Sequence, residues 1–141
     1  MSAVAVVYWS GTGNTEMMAQ AVAAGAQEAG AAVTLCTAAE FDAALLGQFA
    51  AVAFGCPAMG AEELEEAEFA PLFSACEGAL SGKKLGLFGS YGWGDGEWMR
   101  TWEDTGRGDG AVLAAEPVIC QEAPDEDALA ACRALGAALA G

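Results

Sequence analysis

Short wholly apolar runs alternate with longer segments in which apolar residues recur every three to four positions. That alternation is the signature of a parallel sheet covered by helices on both faces. Five strand positions are predicted, at 3–8, 32–36, 51–55 and 85–89, with a last one in two parts at 112–114 and 118–120. Helices fill the gaps. The first is predicted over 15–29 and stops at Gly30; the last covers 125–139, with Pro124 ahead of it and acids in its first turn. Segments 64–76 and 97–104 read as middle helices, the former bent or broken at Pro71. No repeat or linker interrupts residues 1–141, so one doubly wound domain is expected.

In an open parallel sheet, ligands bind beyond the carboxyl ends of strands where the strand order reverses, so the loops after strands one, three and four should converge. The first of these is Ser10-Gly11-Thr12-Gly13-Asn14-Thr15, between the apolar run Val4-Ala5-Val6-Val7-Tyr8 and a helix. Gly11 and Gly13 lack a Cβ, so the backbone can curl with its N–H groups inward, and Ser10, Thr12 and Thr15 add hydroxyls. The helix N-terminus supplies partial positive charge. A phosphate held here would be held by neutral donors, because the first basic residue of the chain is Lys83.

Two commoner glycine loops do not fit this spacing. A P-loop needs a Lys and a hydroxyl residue where Asn14-Thr15 stands, and a dinucleotide fingerprint needs a third small residue where Glu16 stands. That fingerprint also needs an acid further on, where the chain has Val33-Thr34-Leu35-Cys36. An ordinary strand-to-helix turn remains the alternative at this point.

After strand three comes Cys56-Pro57-Ala58-Met59-Gly60-Ala61-Glu62, and after strand four Gly89-Ser90-Tyr91-Gly92-Trp93-Gly94-Asp95-Gly96. Each loop carries a large polarizable or planar side chain among glycines. Met59 and Trp93 should therefore stand at the same rim as the phosphate loop, ready to receive a flat ring. The bland readings are a core plug for Met59 and a loop anchor for Trp93. Trp98 and Trp102, at helical spacing, read as core.

Composition narrows the chemistry. Twenty acidic against five basic residues give a net charge of −15, which argues against nucleic acid and anionic membranes and fits a basic protein partner. There is no histidine, which removes the usual general base and transition-metal ligand, so redox or group chemistry should belong to a cofactor. The five cysteines show no Cys-x-x-Cys spacing and read as small buried hydrophobes. The apolar run 3–9 is too short to span a bilayer and has no basic flank, so a soluble, cytoplasmic protein is expected.

Taken together, Tyr8-Trp9-Ser10-Gly11-Thr12-Gly13-Asn14-Thr15, Cys56-Pro57-Ala58-Met59-Gly60 and Leu87-Phe88-Gly89-Ser90-Tyr91-Gly92-Trp93-Gly94-Asp95-Gly96 closely resemble the motifs of bacterial flavodoxins of the short-chain group. The resemblance implies a flavodoxin-like α/β fold, a five-stranded parallel sheet in the order 2-1-3-4-5, and FMN as cofactor. It implies that Ser10, Gly11, Thr12, Gly13, Asn14 and Thr15 bind the FMN phosphate, that Met59 and Trp93 flank the isoalloxazine, and that Glu62 hydrogen-bonds flavin N(3)–H. Pro57, Ala58, Gly60, Ala61, Ser90, Tyr91, Gly92, Gly94 and Gln121 complete the implied cofactor-binding set. In relatives the peptide after the turn glycine, here Gly60, turns over on reduction, and Gly60 permits the positive φ this needs. Ala61 stands where the family often carries a polar or acidic side chain.

The implied function is low-potential one-electron transfer between redox proteins, with no catalytic residue and no metal. The expected partners are reductase donors and low-potential acceptors with basic docking surfaces, and a monomer is expected. A carboxylate about 10 Å from the reduced ring repels it by roughly 0.4 to 1.7 kcal/mol, or about 20 to 70 mV. Glu62, Glu63, Glu65, Glu66, Asp95 and Glu97 are the candidates for this effect, though such a charge run can equally be a solvated face. The alternative function is an FMN-dependent quinone or nitro reductase, which short loops and the missing histidine disfavour. A receiver domain is rejected by Ser10 and the absent lysine after strand five.

Overall fold

The computed structural model describes residues 3–59, 63–92 and 94–141. The elements follow as β1 (Ala3–Tyr8), α1 (Asn14–Glu28), β2 (Ala32–Thr37), a 3-10 helix (Ala43–Gln48), β3 (Ala51–Gly55) and α2 (Phe69–Cys76). A short 3-10 helix (Glu77–Ala79), β4 (Lys84–Tyr91), α3 (Glu97–Gly108), β5 (Val112–Leu113), β6 (Val118–Gln121) and α4 (Glu126–Ala140) complete the chain. All strand pairs are parallel, in the order β2-β1-β3-β4, with β5 and then β6 pairing successive parts of β4. The two parts of the last strand thus fill one position, and the expected order 2-1-3-4-5 holds.

Alternation along the strands separates two cores. Ala5 and Val7 of β1, Val52 and Phe54 of β3, and Leu85 and Leu87 of β4 face α2 and α3, where they meet Phe69, Phe73, Trp98 and Trp102. Val4, Val6, Ala51, Ala53 and Phe88 face α1 and α4, packing on Met18, Val22, Leu135 and Leu139. The part of a central strand buried on both faces is apolar, which is why β1, β3 and residues 85–89 of β4 read as hydrophobic runs. Trp98 and Trp102 are each 2% exposed, as their helical spacing predicts.

On the second face α1 and α4 approach without side chains between them. A Cβ on Gly25 would lie 2.0 Å from the Arg133 carbonyl oxygen, and one on Gly136 would lie 2.0 Å from that of Val22. Glycine at these two positions is a packing requirement.

Several expectations are corrected. α2 begins at Phe69, not at residue 64, because the Glu65 carboxylate folds back and accepts from the N–H groups of Ala67, Glu68 and Phe69, each at 2.8 Å. Pro71 therefore sits in the first turn, where its missing N–H costs no ladder bond, and the helix is not broken there. α3 runs on to Gly108, past the expected end at 104, under the cover of Trp102 and Gly106 in the core. Of the cysteines, Cys56, Cys76 and Cys132 are buried as expected, but Cys36 and Cys120 are only half-buried because β2 and β6 lie at the sheet edges.

The 3-10 helix at 43–48 has no strong periodicity and was not expected from sequence. Asp42 starts it by accepting from the Ala44 N–H at 2.9 Å. The Lys83 ammonium finishes it, donating to the carbonyls of Leu46 at 3.2 Å and Phe49 at 2.5 Å. Hydrogen bonds to a charged group are worth about 1.5–3 kcal/mol, so Lys83→Met should lower unfolding free energy by about that amount in denaturant titration. Lys84→Met is the comparison. Equal stability of the two variants would mean that the ammonium does not hold this turn.

Candidate functional site

The carboxyl ends of β1, β3, β4 and β6 open onto a cavity of about 250 Å³ lined by Trp9, Gly11, Thr12, Asn14, Pro57, Ala58, Met59, Ser90, Tyr91, Gly92 and Glu122. It lies where the sheet order reverses, because β1 connects outward to β2 on one side while β3 and β4 extend the other. One end of the cavity is the glycine loop at the head of α1. Gly13 there has φ +95°, a left-handed conformation that a residue with a Cβ adopts only at a cost. Its N–H donates to Ser10 Oγ at 3.0 Å, closing the loop upon itself. Met17 is the first residue to join the helical ladder, donating to Gly13 O at 3.1 Å, so the N–H groups of Asn14, Thr15 and Glu16 stand ahead of the ladder.

Among the residues singled out from sequence, Gly11, Thr12, Asn14, Pro57, Ala58, Met59, Ser90, Tyr91 and Gly92 are brought to this one cavity. Ser10 and Gly13 shape the loop from behind. Thr15 is buried, and its Oγ1 lies 3.4 Å from Ser90 Oγ, tying the first loop to the end of β4. Gln121 lies outside the lining and donates from Nε2 to Gly92 O at 3.3 Å, so its contact is with the loop rather than the cavity. Gly94, with φ +91°, also lies outside the lining. Gly60, Ala61, Glu62 and Trp93 lie outside the described residues.

Two lining residues were not picked out from sequence. Trp9 follows β1 directly, and its indole N–H donates to Glu68 Oε1 at 3.0 Å, with the ring lying against Gly11 of the glycine loop. Position immediately beyond a central strand was the signal. Glu122 follows β6 and has φ +59°, the one non-glycine residue with positive φ among the described residues. Its N–H donates to Tyr91 O at 2.8 Å, extending the β4–β6 pairing into the site. No pattern in sequence marks a glutamate for that backbone region.

The wall at 57–59 is anchored from both sides. Cys56 N–H donates to Phe88 O at 3.1 Å, the Trp98 indole N–H donates to Cys56 O at 3.2 Å, and the Glu65 N–H reaches Cys56 Sγ at 3.4 Å. Met59 and Glu63 exchange N–H···O bonds at 2.9 and 3.0 Å. Burial would raise the Glu65 carboxyl, but the N–H donors of Phe69, Glu68 and Ala67 outweigh it and hold it below the ordinary carboxylate range. Burial also pushes the Cys56 thiol up to about 12, so it stays protonated.

A carboxyl held low in the fold stabilises it fully above its unfolded pKa, near 4.3, and that contribution is lost as the pH falls through the folded value. Wild type should thus be more stable than Glu65→Gln at pH 7, with the gap closing below about pH 4 in denaturant titrations. A gap independent of pH would show that the carboxylate charge is not what holds the turn.

A larger concavity, about 770 Å³, runs along the sheet edge between β6 and α4. It is the poorer candidate. The α4 N-terminus there is closed by its own Asp125, which accepts from the Ala128 N–H at 2.8 Å, and Asp127 adds a second negative charge.

Among the described residues, neither Lys nor Arg lines the smaller cavity. Its glycine loop offers neutral donors suited to an anion, and Met59, Tyr91 and Trp9 are the large side chains of its lining, surface for a planar group. The flavodoxin family model matches residues 6–136. The chain is 47% identical over 121 residues to a flavodoxin of Clostridium beijerinckii, covering 86% of this chain and 88% of that one. It is 42% identical over 137 residues to a flavodoxin of Megasphaera elsdenii, covering 97% and 98%. The solution structure of two-electron reduced Megasphaera elsdenii flavodoxin superposes with a TM-score of 0.89 over 97% of this chain and 98% of that chain. A flavodiiron core from Synechocystis matches with a TM-score of 0.87 at 28% identity, covering 99% of this chain but 35% of that one.

Proposed function

The chain belongs to the flavodoxin family, and from that premise we propose how its own residues hold the cofactor and meet their partners. The protein is an FMN-binding electron carrier and not an enzyme. FMN supplies the one-electron chemistry; the chain binds it, orients it and sets the charge around it.

The observation that carries the residue assignment is the convergence of the glycine loop, the 57–59 segment and the β4 end on one cavity with an uncharged donor set. Such a cavity fits a phosphorylated planar heterocycle. Gly11, Thr12, Asn14 and the free N–H groups at the head of α1 hold the phosphate, with Ser10, Gly13 and Thr15 keeping the loop in shape. Pro57, Ala58, Met59, Ser90, Tyr91 and Gly92 form the walls, and Gln121 and Gly94 act through the loop after β4. The roles of Gly60, Ala61, Glu62 and Trp93 rest on the family resemblance alone.

Carboxylates near the site disfavour electron uptake, and the geometry sorts them. Glu122 in the lining joins that group. Asp95 is paired with Arg100 at 3.1 Å, and Glu65 is taken up by the head of α2, so both contribute less than their formal charge. An acidic surface of this kind suits reductase donors and acceptors with basic docking faces, met by a monomeric, cytoplasmic, single-domain carrier. No helix among the described residues is long and apolar enough to cross a membrane.

A visible spectrum tests the reading. Purified protein should show flavin bands that survive dialysis, or regain them when FMN is added; protein that takes up no FMN overturns it. NAD(P)H oxidation in the presence of quinones or nitroaromatics should not exceed that of free FMN, and a clear excess would restore the reductase alternative.

A further inference from the structure

We infer that Cys56 and Glu65 form a neck that positions the cofactor wall at 57–59, so that Glu65 is a positioning residue for FMN and not only a charge near it. Three features meet here. The Glu65 N–H reaches Cys56 Sγ at 3.4 Å, joining the two ends of the segment that leaves β3 and returns to α2. The Glu65 carboxylate then accepts three N–H groups at 2.8 Å, two from the turn before α2 and one from Phe69, its first residue, so the returning end is tied to the start of that helix. The leaving end is held by Trp98 Nε1 on Cys56 O and by Phe88 O on Cys56 N–H.

Between these ends lie Pro57, Ala58 and Met59, which line the cavity, and the Met59–Glu63 pair of backbone bonds. The neck has no room to slide. A Cβ at Gly89 would fall 2.2 Å from Cys56 O, so β4 already lies against it. Glu65 itself is 7% exposed, so water cannot substitute for the lost acceptor. A glutamine at 65 keeps one acceptor oxygen but turns an amide donor toward the Ala67 N–H, which loosens the returning end and with it Met59.

The positioning role rests on the FMN reading above, and the test separates the two. The FMN phosphate is anionic, so removing a nearby carboxylate by charge alone strengthens binding, whereas loosening the wall weakens it. The readings carry opposite signs. Apoprotein of wild type, Glu65→Gln, Glu66→Gln and Cys56→Ala is titrated with FMN by fluorescence, well below the thermal midpoint of each. Glu65→Gln should raise Kd about tenfold, about 1.4 kcal/mol, with Cys56→Ala in the same direction and Glu66→Gln unchanged or tighter. Independently of the cofactor, amide exchange at Met59 and Glu63 should quicken in Glu65→Gln and Cys56→Ala apoprotein.

If Glu65→Gln does not fold, Cys56→Ala decides, since it keeps the Glu65 carboxylate bonds and removes the Sγ contacts with the Glu65 N–H and the Pro57 carbonyl. Folded Glu65→Gln and Cys56→Ala that bind FMN as tightly as wild type, with unchanged exchange at Met59, overturn the positioning role while leaving the electron-carrier function intact. A wild type that binds no FMN overturns the function reading and the positioning role with it.

Discussion

FMN is expected to bind the apoprotein at least about a hundredfold more tightly than riboflavin, because two charge-assisted hydrogen bonds at the lower end of their range, about 1.5 kcal/mol each, already give that ratio. The two ligands share the ring and the ribityl chain and differ only in the phosphate. On the proposed assignment, what discriminates them sits at the head of α1, where the N–H groups of Asn14, Thr15 and Glu16 precede the helical ladder. Among the described residues no Lys or Arg lines the cavity, so on that assignment the selectivity rests on oriented backbone and hydroxyl groups. Its salt dependence should therefore be weaker than that of a lysine-based phosphate site. Parallel fluorescence titrations measure the ratio. Equal affinities would show that the glycine loop is an ordinary turn and that the phosphate lies elsewhere.

Gly136→Val is expected to cost at least about 3 kcal/mol, a large part of the roughly 5–15 kcal/mol that holds a domain folded. The new Cβ would lie 2.0 Å from Val22 O and 2.8 Å from Ala26 N. Both are backbone atoms, so no rotamer change relieves the clash and α4 must move away from α1. The gap would open between Met18, Val22, Leu135 and Leu139, which are each no more than 1% exposed. Gly108→Ala in α3 is the control, because a Cβ there meets nothing within 4 Å, and helix propensity predicts a gain of up to about 1 kcal/mol. Denaturant unfolding of both variants reads the contrast. A loss below 1 kcal/mol for Gly136→Val would mean the two helices tolerate separation.

The alternation of apolar runs with amphipathic segments determined the fold class, the number of strand positions and the loops that face the ligand. It could do so because β1, β3 and the 85–89 stretch of β4 are buried on both faces and carry no polar side chain there, while turn glycines punctuate their ends. The glycine loop was legible for a similar reason: its chemistry lies in consecutive residues and in the helix that follows, so spacing alone rejects a P-loop and a dinucleotide site. The family resemblance extended this reading to FMN.

Tertiary structure decided what depends on contacts distant in sequence. Residues 64–68 carry a helical pattern, yet the Glu65 carboxylate satisfies the N–H groups of residues 67–69, so α2 begins only at Phe69. Glu65 and Asp95, alike as acids in sequence, proved to be a helix cap and half of an ion pair. The glycines at 25 and 136 looked like ordinary helix residues until the two helices were seen to touch backbone to backbone. Trp9 and Glu122 reach the site because β1 and β6, which are not neighbours in the sheet, end at the same carboxyl end of it. Hydrophobic periodicity reports how each segment divides between core and water, a property of neighbouring residues. Which polar group finds which partner depends on three-dimensional distance, so a carboxylate's role is set by what the fold brings within about 3 Å of it.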